Sequence, residues 1–278
     1  MRSSSRHRGV RAALVMLCAA GALVAAGGAA TAGPVRLTVG FDRDAALGAA
    51  TAMNVDLQLD PRRLSRAPLT ELRFAYPRQL GVVSSGLGLA TCTRPAADFV
   101  KVLIAATRLG GCSPNAVMGL GSALALVRLS NGQVIREYAA VTVLSGALAH
   151  GRLGLVVYVD GQHPFGAKLA FAGDVRGAPS PYGGQLTVRM PEVPGLEQLA
   201  TVSLVDMRIS IGSHAIRYYE WHRRRRVAYH PDGVELPTSC PPHGFRFRAQ
   251  IGFADGSHRV ATTTTPCPSP LAAPASGR

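Results

Sequence analysis

The chain has 278 residues, 47% of them hydrophobic, which is enough to build a core for one large domain or two ordinary ones. It carries 30 lysine and arginine residues against 16 acidic residues, for a formal net charge of +14, and only Lys101 and Lys168 are lysines. This charge favours anionic surroundings. The chain has no basic and aromatic module of a known kind, which argues against nucleic acid as a partner.

The first 32 residues have the three parts of an export signal. Four arginines precede an apolar run from Ala12 to Ala26, which is shorter than the roughly 20 residues needed to span a bilayer. The small residues Ala30-Thr31-Ala32 then predict Sec-type export with cleavage after Ala32, and an uncleaved membrane anchor is the alternative. Cleavage would remove Arg2, Arg6, Arg8 and Arg11. The mature chain would keep 26 basic residues (30 − 4) against 16 acidic ones, a net charge of +10.

Alternation of apolar and polar residues recurs along the mature chain and predicts antiparallel strands with one buried face. The clearest case places five apolar residues at every second position: Phe245, Phe247, Ala249, Ile251 and Phe253. Similar patterns occur at 53–59, 72–76, 186–190 and 205–211. The runs 123–127 and 153–159 are apolar at successive positions, as in strands that are covered on both faces.

Four turn dipeptides favour the positive φ of tight hairpins: Asn131-Gly132, Asp160-Gly161, Asp232-Gly233 and Asp255-Gly256. Residues 96–106 are the best helix candidate, and we expect at most one or two helical turns there. We therefore predict an all-β fold, an antiparallel β-sandwich of about twelve strands over residues 33–268. A division near residue 150 into two packed β lobes is an open alternative. The Pro/Ala/Ser-rich segment 269–278 is predicted to be a disordered tail.

Four cysteines remain after the predicted cleavage: Cys92, Cys112, Cys240 and Cys267. An even number in an exported chain indicates disulfides, and three pairings are possible. We favour Cys92–Cys112 and Cys240–Cys267 because the members of each pair are near in sequence. Closing a loop of this size contributes about 3 kcal/mol in the chain-entropy model. A metal site or a redox pair is the alternative, but the chain contains no Cys-x-x-Cys spacing.

Several short motifs follow one another in a characteristic order: GLGLATC at 86–92, GCSPN at 111–115, GLGSA at 119–123, FAG at 171–173, YGGQL at 182–186, YYE at 218–220, CPPHGF at 240–245, FADGS at 253–257 and PCP at 266–268. This pattern resembles a group of exported proteins of unknown function from high-GC Gram-positive bacteria, over most of residues 50–268. The resemblance implies a secreted, two-disulfide β protein and supplies no activity. Ser113 departs from the pattern, where proline is expected.

Common catalytic and nucleotide-binding motifs are absent from the sequence, including G-x-S-x-G, S-x-x-K, H-E-x-x-H and the P-loop. We therefore assign no catalytic residue, cofactor or metal ligand. Two weaker hypotheses stay open. His222 and His230 would form a metal trio with Glu220 if the two histidines were cross-strand neighbours. A glycosidase would need two nearby carboxyl groups, for which Asp42 with Asp44, or Glu220 with Asp206, are the candidates.

The densest charge feature is Arg223-Arg224-Arg225-Arg226, which follows Trp221 and a pair of tyrosines. Strands at 215–222 and 227–230 would leave these arginines at a hairpin tip. Guanidinium groups pair bidentately with carboxylate, sulfate or phosphate, and Trp221 can stack on a sugar. The alternative is a solvated hairpin end with Tyr219 and Trp221 in the core.

These observations predict a secreted or cell-envelope protein without catalytic activity that contacts anionic cell-wall polymers or glycans through the arginine-rich hairpin. The mature chain is predicted to have no membrane span. The alternative function is a secreted carbohydrate-active hydrolase that uses paired carboxylates on one sheet face. The sequence does not determine an oligomeric state.

Overall fold

A computed structural model describes residues 33–64, 67–81, 90–93, 109, 112–147, 153–164, 168–190 and 200–270. The predicted export signal, the helix candidate 96–106 and residues 271–278 of the predicted tail lie outside these ranges. Within them the chain forms strands and a 3-10 turn at Pro114–Ala116, without an α-helix. In this part of the chain no helix is long and apolar enough to cross a membrane.

The strands follow in this order: β1 (Val35–Phe41), β2 (Ala50–Thr51), β3 (Met53–Leu59), β4 (Leu69–Pro77), β5 (Val117–Leu129), β6 (Val134–Ser145), β7 (Gly154–His163), β8 (Lys168–Gly177), β9 (Tyr182–Arg189), β10 (Ala200–Ile211), β11 (Tyr218–His222), β12 (Arg225–Tyr229), β13 (Val234–Glu235), β14 (Phe245–Phe253) and β15 (His258–Thr265).

Eleven of these strands form one antiparallel sheet in the order β1-β3-β10-β5-β6-β7-β8-β9-β4-β14-β15. The all-β antiparallel prediction is thus confirmed. The sheet curls until its two edge strands meet, and the Thr265 hydroxyl of β15 donates a hydrogen bond of 2.5 Å to the Val39 carbonyl of β1. β2 pairs with β13, and β11 pairs with β12, in two separate two-stranded sheets.

One hydrophobic core fills the interior of the curled sheet, and every strand of that sheet contributes to it. The predicted alternation on β14 is confirmed, since its five apolar residues from Phe245 to Phe253 are buried and the intervening side chains are not. Burial of each such phenylalanine stabilises the fold by about 1.5–3 kcal/mol. The strands on the two sides of residue 150, β6 and β7, are hydrogen-bonded neighbours.

A second, smaller core lies on the outer face of β5 to β8. Val156 and Tyr158 of β7 belong to it, whereas Leu155 points into the main core, because successive residues of a strand face opposite sides. The 153–159 run is therefore covered on both faces, as predicted. The cover comes in part from Ile216 and Tyr218, at the base of the β11–β12 hairpin.

Both favoured disulfides are present. Cys92 bonds to Cys112 with a Cα–Cα distance of 5.2 Å, and Cys240 bonds to Cys267 with a Cα–Cα distance of 5.8 Å. Two disulfides indicate an oxidising, extracellular environment. Ser269 and Pro270, at the start of the predicted tail, run beside Leu47.

Two of the four predicted hairpin turns are wrong. Asn131-Gly132 joins β5 to β6 and Asp255-Gly256 joins β14 to β15, as expected. Asp160-Gly161, however, lies inside β7, because the pairing of β7 with β6 continues past it to His163. Asp232-Gly233 has the expected positive φ, 97° at Gly233, but it connects β12 to β13, which belong to different sheets and so form no hairpin.

Candidate functional site

The β11–β12 hairpin carries the arginine cluster at its end. Arg223 and Arg224 form the two-residue turn, with φ values of 46° and 69°, while Arg225 and Arg226 begin β12. Positive φ at both central residues is the requirement of the hairpin turn that matches strand twist. Such backbone is unusual for residues other than glycine, asparagine and aspartate. Two arginines therefore occupy turn positions whose positive φ favours glycine, asparagine or aspartate.

The base of the hairpin is fixed by Tyr218. Its side chain is fully buried, and its hydroxyl donates a hydrogen bond of 2.6 Å to the carbonyl of Val117 on β5. The ring packs edge to face on Tyr229, with ring centroids 5.5 Å apart. A buried aromatic ring with a satisfied hydroxyl gives the hairpin a rigid attachment to the outer face of the sheet.

Asn115 clamps the hairpin from the side. Its amide nitrogen donates to the Tyr219 carbonyl at 2.8 Å, and its amide oxygen accepts from the Tyr219 backbone N–H at 2.9 Å. Asn115 lies in the 3-10 turn that follows Cys112, and the Ser113 hydroxyl caps that turn by accepting from the Asn115 N–H. The Asn115 carbonyl also accepts from the N–H of Ala90, near the other cysteine of the disulfide. The Cys92–Cys112 disulfide thus restrains the 3-10 turn that contains Asn115, and Asn115 in turn fixes the hairpin.

One face of the hairpin combines aromatic rings with a guanidinium. Trp221 lies directly opposite Arg226, and Tyr219 lies two residues from Trp221 on the same face. The Arg226 guanidinium stacks on the Tyr219 ring at 3.7 Å from its centroid. Trp221 is 76% exposed. The alternative that placed Tyr219 and Trp221 in the core is therefore wrong for Trp221.

The opposite face of the hairpin carries Glu220, His222, Arg225 and Val227 above Tyr229. Burial raises the pKa of the Tyr229 phenol, and the negative charge of Glu220 raises it further. Glu220 is the only acidic residue among residues 218–229, which contain four arginines, so the hairpin has a formal charge of +3 (4 − 1). In the part of the chain that the structure describes, none of the four arginines forms an ion pair.

The metal trio suggested by the sequence does not form. The cross-strand neighbour of His222 is Arg225, because the two-residue turn pairs the strands immediately after it. His230 lies beyond the other end of β12 and contacts the Ile216 carbonyl through Nδ1 at 2.9 Å. Among the described residues no three histidine, cysteine or acidic side chains are grouped so as to hold a metal ion.

The acidic pairs suggested for a glycosidase have other partners. Asp42 accepts a hydrogen bond of 3.0 Å from the Asn54 side chain. Asp206 pairs with Arg208 at 3.2 Å in β10, whereas Glu220 lies in the separate β11–β12 sheet. These contacts give each of Asp42 and Asp206 a structural role.

The sequence analysis singled out the arginines and Trp221 as contact candidates, whereas it named Tyr218 and Asn115 only within motifs of the resemblance and gave them no role in positioning the hairpin. Asn115 contacts a residue 104 positions away, and no local pattern reports such a contact. Comparisons of the chain with protein family models, with curated proteins and with solved structures found no match.

Proposed function

We propose that this protein is an exported binding module without catalytic activity, and that its β11–β12 hairpin contacts anionic polymers of the cell envelope or its surroundings. The observation that carries the proposal is the exposure of Trp221 beside Arg226 on a hairpin whose base is fully buried. Export rests on the predicted signal at residues 1–32 and agrees with the two disulfides. The resemblance to exported proteins of high-GC Gram-positive bacteria points the same way.

The charge of the hairpin favours repeated anionic groups over a single one. Each exposed guanidinium gains only about 0.2–1 kcal/mol from one ion pair in water. Four arginines within one turn and its flanks add such contacts along a polymer that carries a phosphate, sulfate or carboxylate on successive units. Because these contacts are exposed, dissolved salt screens them, and binding must weaken as the salt concentration rises. At physiological ionic strength the screening distance, the Debye length, is about 8 Å.

The fixed base lowers the entropy that binding must overcome. Ordering a flexible loop or side chain at an interface costs about 0.5–1.5 kcal/mol for each immobilised group. Tyr218 and Asn115 already fix the hairpin backbone, and the stack on Tyr219 already restricts Arg226. The open face of Trp221 then offers a stacking surface for a sugar ring next to the charged groups.

The test is retention of the mature protein on immobilised heparin, dextran sulfate, polyphosphate and isolated bacterial cell walls at two salt concentrations. The hairpin variant replaces Arg223, Arg224, Arg225 and Arg226 with serine. The matched control removes the same charge from exposed arginines elsewhere: Arg36→Ser, Arg43→Ser, Arg128→Ser and Arg136→Ser. We expect at least tenfold weaker retention of the hairpin variant and a much smaller change in the control. Equal losses would show that only net charge matters and would refute the hairpin site.

A further inference from the structure

A groove of 430 Å³ lies on the outer face of β1, β3, β10 and β5, and no residue of the hairpin lines it. Six polar side chains line it: Thr38, Asn54, Asp56, Ser122, Arg208 and Ser210. The groove is open to solvent along its length, so a ligand would lie along the strands and not inside a closed cavity. Nothing in the proposed function uses this face of the sheet.

The register of the sheet arranges these groups in rows across the strands. Thr38 lies opposite Asp56, Asp56 opposite Arg208, and Arg208 opposite Ser122. Neighbouring strands are about 4.8 Å apart, so the row alternates hydroxyl, carboxylate, guanidinium and hydroxyl at that spacing. The next row along the strands contains Asn54 and Ser210. A ligand that lies along this face would meet donors and acceptors in turn.

The charged groups of the groove are held in place before any ligand arrives. The Arg208 guanidinium pairs with Asp56 at 3.3 Å and with Asp206 at 3.2 Å. The Asn54 side chain is oriented by its hydrogen bond of 3.0 Å to Asp42. Side chains fixed by such surrounding contacts are the mark of an organised binding site.

Gly40 leaves open space within the groove, and apolar atoms form part of its surface. An added Cβ on Gly40 would meet no atom within 4 Å, so this position opens onto empty space. Leu120, two residues from Ser122 on the same face of β5, contributes apolar surface beside the polar groups. A sugar ring has the same character, because apolar C–H faces are bordered by hydroxyls that both donate and accept hydrogen bonds.

The Asp56 carboxylate has one oxygen without a partner. Its Oδ2 contacts Arg208, but its Oδ1 is buried and accepts no hydrogen bond from the residues that the structure describes. An unsatisfied buried acceptor is costly. A ligand hydroxyl that reaches this carboxylate, with a small rotation of its plane, would relieve that cost.

We propose that this groove binds a neutral sugar residue of a glycan. The charged groups that line the groove are Asp56 and Arg208, for a formal charge of 0 (1 − 1), so the lining favours a neutral ligand over an anion. The groove therefore differs from the hairpin, which has a formal charge of +3. It would add recognition of neutral sugars to a protein whose hairpin contacts anionic groups.

The experiment titrates the 15N-labelled mature protein with a panel of neutral tetrasaccharides of glucose, mannose, galactose or N-acetylglucosamine. The Arg208 Nε–H and Asn54 side-chain amide resonances report on the groove, and the Trp221 indole N–H reports on the hairpin. At least one sugar should shift the groove resonances, and the Trp221 resonance separates this binding from stacking at the hairpin. Loss of the charge in Asp56→Asn should weaken binding about tenfold, the difference between a charged and a neutral acceptor.

A groove-filling variant tests the site without removing any polar group. Gly40→Leu should abolish the shifts, whereas Gly177→Leu, at another strand glycine with open space beside it, should not. The proposal is overturned if no sugar in the panel shifts the groove resonances, if Gly40→Leu binds normally, or if the shifts are confined to Trp221.

Discussion

The turn of the arginine hairpin offers a sharp test, because replacing its two arginines should raise the stability of the hairpin and weaken its binding to an anionic polymer. Arg223 and Arg224 have φ values of 46° and 69°, and left-handed backbone costs an ordinary residue about 1–2 kcal/mol. The double variant Arg223→Asn, Arg224→Gly supplies the residues that tolerate this backbone. We expect it to stabilise the hairpin by about 1–2 kcal/mol in total.

Two guanidinium groups are lost in the same variant. At about 0.2–1 kcal/mol for each exposed ion pair, binding to an anionic polymer should weaken by about 0.5–2 kcal/mol, or 2- to 30-fold. The hairpin should therefore become more stable while the protein binds less well. The control is Arg223→Lys, Arg224→Lys, which keeps both the charge and the unfavourable backbone and should change each quantity little.

Amide hydrogen exchange of β11 and β12 measures the first effect, and retention on heparin at low salt measures the second. The hairpin forms a sheet of its own, so its exchange reports local opening. Protection should rise about 5- to 30-fold in the Asn-Gly variant. If that variant binds as well as the parent, the turn arginines do not contact the polymer. If its protection falls, the positive φ values are not a source of strain.

Three further predictions concern the supports of the hairpin and the core. Asn115→Ala removes both hydrogen bonds to Tyr219 and should destabilise the hairpin by about 1–3 kcal/mol. Amide hydrogen exchange should become faster in β11 and stay unchanged in β14. Equal acceleration in both strands would contradict a local role for Asn115. Phe247→Ala should cost about 3–5 kcal/mol in urea unfolding, because the ring is fully buried, whereas Val260→Ala at an exposed site should cost less than about 0.5 kcal/mol. Burial raises the pKa of three phenols above 10, those of Tyr76, Tyr158 and Tyr229. Their neutral forms are favoured in the folded state, so the stability that these neutral phenols contribute is complete below pH 10 and is lost as pH rises through the folded-state pKa values. Phenolate absorbance should show these tyrosines ionising at higher pH in the folded protein than in urea. Coincident titration curves would contradict the burial of the phenols.

Local pattern was sufficient to predict strand content and the faces of single strands. The alternation from Phe245 to Phe253 works because a strand with one face in a core must place apolar residues at every second position. The cysteine pairs were predictable because each disulfide closes a short loop. The same locality explains why the hairpin was found but its exact strand ends were not, since four consecutive arginines do not show which of them form the turn.

The sheet order and the attachment of the hairpin by Asn115 depend on contacts between segments that are distant in sequence. β10 lies between β3 and β5, and no local signal states that arrangement. Asp160-Gly161 resembles a turn, yet pairing on both sides keeps it within β7, so tertiary hydrogen bonding overrides its turn preference. The rows of polar groups between Thr38 and Ser122 likewise exist only once three strand registers are fixed.

The meeting of β1 with β15 has a consequence for aggregation. Open sheet margins present unpaired N–H and C=O groups that recruit strands from other molecules and seed aggregates. Here β15 lies beside β1, joined to it by the Thr265 hydroxyl, and Phe41 of β1 also packs edge to face on Phe245 of the adjoining β14. The arrangement thereby leaves few exposed edges at which a second molecule could add a strand.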